Sequence, residues 1–266
     1  MKTCFLYGAL GGDIAGSRFE WNNIKHKDFL LFDEESQLTD DSVLTIATAD
    51  AIINKISYKE AYYKWGNMYP RAGYGGSFRK WLKSRNPQPY NSWGNGSAMR
   101  VSPVGFAAKS FDEVLSEAKA SAEVTHNHPE GIKGAQATAA AVFLAKSGKS
   151  KSEIREYIER NFYKLDRTVE EICDVYQYDG SCQGSVPESI IAFLESENYV
   201  DALRNAISMG GDADTMAAIS GSIAWSYYRA QNGGELTDEM TILVENSEEY
   251  LPIEFRRTIE EFEALC

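Results

Sequence analysis

The chain has 266 residues, a formal net charge of -12 and 43% hydrophobic residues. That length and apolar content suit one soluble globular domain with a sizeable core, and the negative field disfavours generic binding to nucleic acid or to an anionic membrane. No apolar run reaches transmembrane length, and Met1 to Leu10 is followed at once by glycines and Asp13 instead of a secretory h-region, so a cytoplasmic monomer is expected.

The first helix is expected over 5–17. Gly8, Gly12 and Gly16 recur there at a spacing of four and share one face. Glycine costs helix stability, so that face implies close approach of a neighbouring helix in the middle of an α-bundle. Apolar periodicity then predicts helices over 42–56, with Leu44, Ala47 and Ala51 on one side, and over 58–68, 78–83, 112–124, 134–146 and 151–162. Segments 169–176, 187–195, 199–209, 214–231, 238–246 and 253–265 complete the series, with Pro187 and Pro252 at expected helix starts, where a missing N–H does no harm. Alternating β-branched runs and repeat periods are both lacking, which predicts a single all-α, multi-helix domain spanning 1–266. Residues 69–100 read as one long loop rich in Gly, Asn, Ser and Pro. Its aromatics Tyr74, Phe78, Trp81, Tyr90 and Trp93 need burial or a ligand, so a functional loop is expected. Cys4, Cys173, Cys182 and Cys266 have no CxxC spacing and read as reduced structural thiols, which also disfavours zinc.

Two acidic clusters stand where helical patterns begin: Thr39-Asp40-Asp41 and Asp212-Ala213-Asp214-Thr215. Taken singly, the first reads as a helix cap, because Asp and Thr accept from orphan N–H groups and suit the positive end of the macrodipole. The second adds a DxD behind Gly210-Gly211, where the backbone can bend close to an ion. Packed carboxylates repel unless a proton or cation compensates them, and together with threonine hydroxyls they offer the all-oxygen ligand set that Mg²⁺ or Mn²⁺ accepts.

Read in order, GALGGDIAGSRFE (8–20), LTDDS (38–42), GYGGSF (73–78), SWGNGSAMR (92–100), THNHPEG (125–131) and GGDADTMAAISGSIA (210–224) closely resemble the ADP-ribosylglycohydrolase family. The resemblance implies an all-helical domain with two Mg²⁺ or Mn²⁺ ions at the bottom of a cleft, held by Thr39, Asp40, Asp41, Asp212, Asp214 and Thr215. It implies hydrolysis of the bond between the anomeric carbon of ADP-ribose and an acceptor, which would be an ADP-ribosylated protein side chain (arginine or serine) or a small conjugate. Asp41 or Asp212 is expected to transfer the proton, with nothing in the sequence separating the two, and Glu20 matches a family glutamate that touches a metal or gates the site in some members. Gly73, Gly75, Gly76, Ser77, Ser92, Gly94, Asn95, Gly96 and Ser97 would form the diphosphate and ribose cradle, with Met99 a further substrate-binding residue. Trp93 would stack on adenine, and His126 would lie near the ligand. Small residues let backbone N–H groups reach phosphate oxygens, although the same glycines also suit ordinary turns. Two other readings are weighed: a non-catalytic, crystallin-like relative, which the intact acidic clusters disfavour, and a metal-dependent phosphohydrolase, which the position of the DxD before a helix disfavours.

Overall fold

The structure is a computed structural model that describes residues 5–266, so Cys4 lies outside the described residues. In chain order the helices are α1 (Tyr7–Gly16), α2 (Asp40–Asn54), α3 (Tyr58–Met68), α4 (Gly76–Leu82), α5 (Ser102–Ala107), α6 (Phe111–Glu123) and α7 (Pro129–Lys146). There follow α8 (Lys151–Asn161), α9 (Val169–Val175), α10 (Cys182–Leu194), α11 (Tyr199–Ser208), α12 (Ala213–Gln231), α13 (Asp238–Ser247) and α14 (Ile253–Leu265). Among the described residues there is no β-strand; one isolated bridge joins Gly94 to Ser181. The expected all-α architecture is therefore the observed one.

Most helix starts follow from side-chain caps. Ser57, Ser110, Ser150, Thr168, Asn198 and Thr237 each accept from a backbone N–H of the first turn, and Ser150 and Thr168 complete capping boxes with Glu153 and Glu171. The same chemistry corrects two expected starts. The His128 ring accepts from the Glu130 N–H and Pro129 takes the first turn, so α7 begins well before residue 134. Ser181 caps α10 through the Gly184 N–H, which leaves Pro187 in the helix interior, not at its start. Pro187 is buried among Val186, Ile190 and Ile191, so core packing holds a proline where helix propensity opposes it. The expected loop 69–100 contains α4 and a single 3-10 turn at Asn95–Ser97, and the short helix α5 beyond it has too few residues to show a period.

Helix α1 is buried along its whole length. Its glycine face meets α12 running the opposite way. A Cβ on Gly8 would lie 2.4 Å from Trp225, one on Gly12 2.2 Å from the Ala217 carbonyl oxygen, and one on Gly16 2.5 Å from the Asp214 Cα. No side chain fits at such distances, so the glycines are what let two central backbones touch. This antiparallel seam brings the end of α1 to the beginning of α12.

Candidate metal and nucleotide cleft

The seam carries the chain past Gly16 to Glu20 and sets Asp13, one turn from the end of α1, beside two helix N-termini. The buried Asp13 carboxylate accepts from the Thr39 N–H at 3.0 Å, the Thr39 hydroxyl at 2.6 Å, the Ser42 N–H at 3.1 Å and the Ser42 hydroxyl. It thereby fastens the first turn of α2 to α1. Thr39 is the N-cap of α2 and accepts from the Asp41 N–H. Asp212 occupies the cap position of α12 after Gly210 and Gly211, both in the left-handed region at φ +74° and +79°. Asn23 clips that turn, accepting from the Gly211 N–H at 2.8 Å and donating to its carbonyl at 2.9 Å.

The two acidic clusters, far apart in sequence, meet here. Carboxylate oxygens of Asp13, Asp41 and Asp214 lie within 4.8 Å of one another, as do those of Glu20, Asp212 and Asp214. Burial and mutual repulsion push their acidities in one direction. Asp41 and Asp214 are held well above the usual carboxylate range, first by burial and then by neighbouring carboxylates. Burial also raises Asp13 against its hydrogen bonds, and raises Asp212 against the bond from Asn95. Burial, then Asp13, pushes Asp40 up to about 8; burial, then Asp212, pushes Glu20 up to about 7.

Divalent cations fit this donor set. Asp41 Oδ2 accepts from the Thr215 hydroxyl at 3.2 Å, but its buried Oδ1 has no hydrogen-bond partner. An unpaired buried carboxylate oxygen among further carboxylates calls for a cation or a proton. Asp40, Asp41, Asp212, Asp214 and Thr215 all line one cleft of about 530 Å³. Thr39 stands behind it as the cap of α2, its hydroxyl already shared with Asp13.

The glycine-rich region lines the same cleft through Gly73, Gly75, Gly76, Ser77, Ser92, Gly94, Asn95, Gly96 and Met99, as does His126. A Cβ on Gly75 or Gly76 would meet nothing within 4 Å, so both glycines border open space. Gly73, at φ +102°, faces Asp40 Oδ1 and joins this wall to the carboxylates. Asn95 donates to Asp212 Oδ2 at 2.7 Å and to Ser185 at 3.2 Å, so its side-chain amide positions a carboxylate. Ser97 differs from expectation: it is fully buried behind the wall, where its hydroxyl donates to the Gly131 carbonyl at 2.7 Å. Trp93 stands outside the lining although its neighbours Ser92 and Gly94 belong to it; the ring is 52% exposed and lies edge-on to His128 with centroids 5.5 Å apart. His126 is bonded through Nδ1 to the Thr125 hydroxyl at 2.7 Å, and burial followed by the Arg100 charge keeps it neutral.

Sequence reasoning assigned no role to several residues of the cleft. Asp13 lay in plain view within GGDIAG, and the one available signal was a carboxylate inside an otherwise apolar, glycine-faced helix. Arg79 lines the cleft on α4, while Arg100 is fully buried over the Tyr62 ring and donates to Ser121 and Thr125. Trp21 and Tyr178 also line it, from loops far apart in the chain.

The chain has relatives among known proteins. The sequence pattern of the ADP-ribosylglycohydrolase family matches residues 4–233. ADP-ribosylhydrolase ARH3 of Homo sapiens is 28% identical over 304 aligned residues, covering 84% of this chain and 84% of that protein. The Mus musculus ARH3 is 27% identical over 304, covering 84% and 82%. An ADP-ribosylarginine hydrolase of Pseudomonas putida is 24% identical over 217, covering 71% of this chain and 58% of that protein. Among solved structures, a chain of an ADP-ribosylglycohydrolase-related protein complex shares the fold, with a TM-score of 0.67 at 21% identity over 98% of this chain and 94% of that one. Among the described residues, no helix is long and apolar enough to cross a membrane.

Proposed function

The chain belongs to the ADP-ribosylglycohydrolase family, and from that premise we propose that it hydrolyses the glycosidic bond between ADP-ribose and an acceptor, using two divalent cations, Mg²⁺ or Mn²⁺. The observation that carries this reading is the convergence of carboxylates from α1, α2 and α12 at a cleft that the open glycines Gly75 and Gly76 also line.

Asp40, Asp41, Asp212, Asp214 and Thr215 would hold the cations, with Thr39 and Asp13 fixing the first turn of α2 behind them. Cations bound there would offset the carboxylate repulsion and make a nearby water more acidic. The ribose belongs at the carboxylate end and the diphosphate along Gly73, Gly75, Gly76 and Ser77, where backbone N–H groups and the Arg79 side chain meet anionic oxygens. Adenine then reaches the rim near Trp93.

As the bond from the anomeric carbon to the acceptor lengthens, the ribose acquires oxocarbenium character, which the carboxylates of Asp41 and Asp212 stabilise. Water forms the new C–O bond and gives up a proton, while the acceptor departs with the bonding electron pair and receives a proton. Asp41 or Asp212 would carry those transfers, with Glu20 as a further carboxylate at the cleft.

The test is turnover of ADP-ribosylated peptides after exhaustive chelation. Activity should vanish with EDTA and return with Mg²⁺ or Mn²⁺; full activity in the stripped protein would refute the cation-dependent reading.

A further inference from the structure

Two large aromatic side chains line the carboxylate end of the cleft while remaining open to solvent, Trp21 at 76% and Tyr178 at 49% exposure. Folding normally buries such surface. Here the rings stack on each other, centroids 5.5 Å apart and planes 17° from parallel, and neither is drawn into the core.

The loops that carry them are fastened on both sides. Asn23 exchanges its two hydrogen bonds with Gly211 just beyond Trp21, and Gly180, two residues after Tyr178, accepts from the Asn95 N–H at 2.9 Å. Trp21 follows Glu20 in the chain, and both line the cleft. A Cβ on Gly180 would lie 3.5 Å from the Tyr178 hydroxyl and 3.7 Å from Asp212 Oδ2, so the Tyr178 ring borders the same carboxylates. The pair therefore stands by Glu20 and Asp212, whereas Trp93 packs against His128.

We propose that Trp21 and Tyr178 form the acceptor subsite and select a planar cation, the guanidinium of an arginine side chain, over a hydroxyl acceptor. This rests on the reading of the cleft as an ADP-ribose glycosidase, which puts the anomeric carbon at the carboxylates and the departing acceptor beside them. Three features favour the guanidinium. Exposed aromatic faces attract cations, and guanidinium, being flat and weakly hydrated, stacks on indole better than any other side-chain cation. A guanidinium substituted on one nitrogen keeps its plane and its charge. Carboxylates stand beside the rings, and Glu20 is placed to accept its N–H groups. A seryl oxygen offers neither charge nor plane to these rings.

Two ADP-ribosyl peptides of matched sequence, one linked through arginine and one through serine, test the assignment with wild type, Trp21→Leu, Tyr178→Leu and Tyr178→Phe, alongside calorimetry of free ADP-ribose. Wild type should favour the arginine linkage at least about tenfold in kcat/KM. Trp21→Leu and Tyr178→Leu should each erase about tenfold of that value, mainly through KM, while ADP-ribose affinity changes less than about twofold. Tyr178→Phe keeps the ring and should keep the preference. Equal losses on both peptides, weakened ADP-ribose binding, a wild-type preference for serine, or a Tyr178→Phe loss as large as that of Tyr178→Leu would overturn it. Failure of the underlying glycosidase reading looks different: wild type loaded with Mg²⁺ or Mn²⁺ would cleave neither peptide, and both conclusions would fall together.

Discussion

Glycine does opposite work in two regions of this molecule. Along α1, Gly8, Gly12 and Gly16 are needed because another backbone occupies the space of their missing side chains. On the cleft wall, Gly75 and Gly76 are followed by open space, so their missing side chains leave room for something else. The first set closes a gap and determines where the carboxylates stand; the second keeps a gap open. One residue type thus sets both the rigidity of the site and its capacity, and substitutions should separate the two.

The largest effect is expected in the seam. Gly12→Leu would drive a side chain into the Ala217 carbonyl, and neither α1 nor α12 can retreat without opening the core. Overpacking of this kind costs at least about 3 kcal/mol, so the thermal midpoint should collapse or soluble protein should be lost. A variant with an unchanged midpoint would break the comparison at its first term.

The carboxylates that the seam assembles come next. Asp214→Asn should lower turnover by about three orders of magnitude or more, because an amide is a poorer cation ligand and carries no charge toward an oxocarbenium-like centre. Its fold should survive and, in the metal-stripped protein, even gain stability, since one of the repelling groups is removed. The pH dependence follows from the same repulsion. Burial and neighbouring carboxylates push Asp40 up to about 8 and Glu20 up to about 7, whereas in an unfolded chain such groups titrate near about 4. Over that window the folded state binds more protons, so the stripped protein should lose stability as pH rises from about 4 to 8. Thermal scans at pH 5.5 and 8 in EDTA check the sign, and Mg²⁺ or Mn²⁺ should restore the midpoint at pH 8. A stripped protein that is more stable at pH 8 would show that the cluster is not held under repulsion.

Gly76→Ala probes the open region. Gly76 begins α4 with nothing near its Cβ position, so alanine should leave the thermal midpoint unchanged or raise it slightly. ADP-ribose affinity should nevertheless fall by roughly tens of fold, because the methyl group takes the space in which backbone N–H groups would meet phosphate. Loss of stability without loss of affinity would assign this glycine to the same class as those of α1.

How much of this was legible follows from the range of each interaction. The α1 seam could be read because its signal, three glycines at a spacing of four, lies within one helix. The acidic clusters could be read because each sits at a helix start, where caps are encoded within four residues. Asp13 carried no comparable sign: what gives it a role is the first turn of α2, and that proximity exists only after folding. The Trp21–Tyr178 stack joins two loops with no local pattern, so neither ring could be assigned. Ser97 stands behind the wall because the 3-10 turn at Asn95–Ser97 points Asn95 at Asp212 and Ser97 at Gly131, a change of direction that a run of small residues does not encode.

The smallest expected effect lies at the edge of the open region. Trp93 is half exposed between two lining residues, and its ring already has one edge contact, with His128. Aromatic stacking on a nucleobase contributes about 1–3 kcal/mol in single-strand binders, and a rim position screened by water belongs at the low end, so Trp93→Ala should weaken ADP-ribose roughly tenfold. Ribose-5-phosphate, which lacks the base, should bind the variant and the wild type equally. Under the proposed placement the two ligands would share the carboxylates and differ at the rim, so their ratio would isolate the ring from the wall beneath it. Equal weakening of both in calorimetry would mean that Trp93 braces the 91–97 turn, and the open region would then end at Gly94.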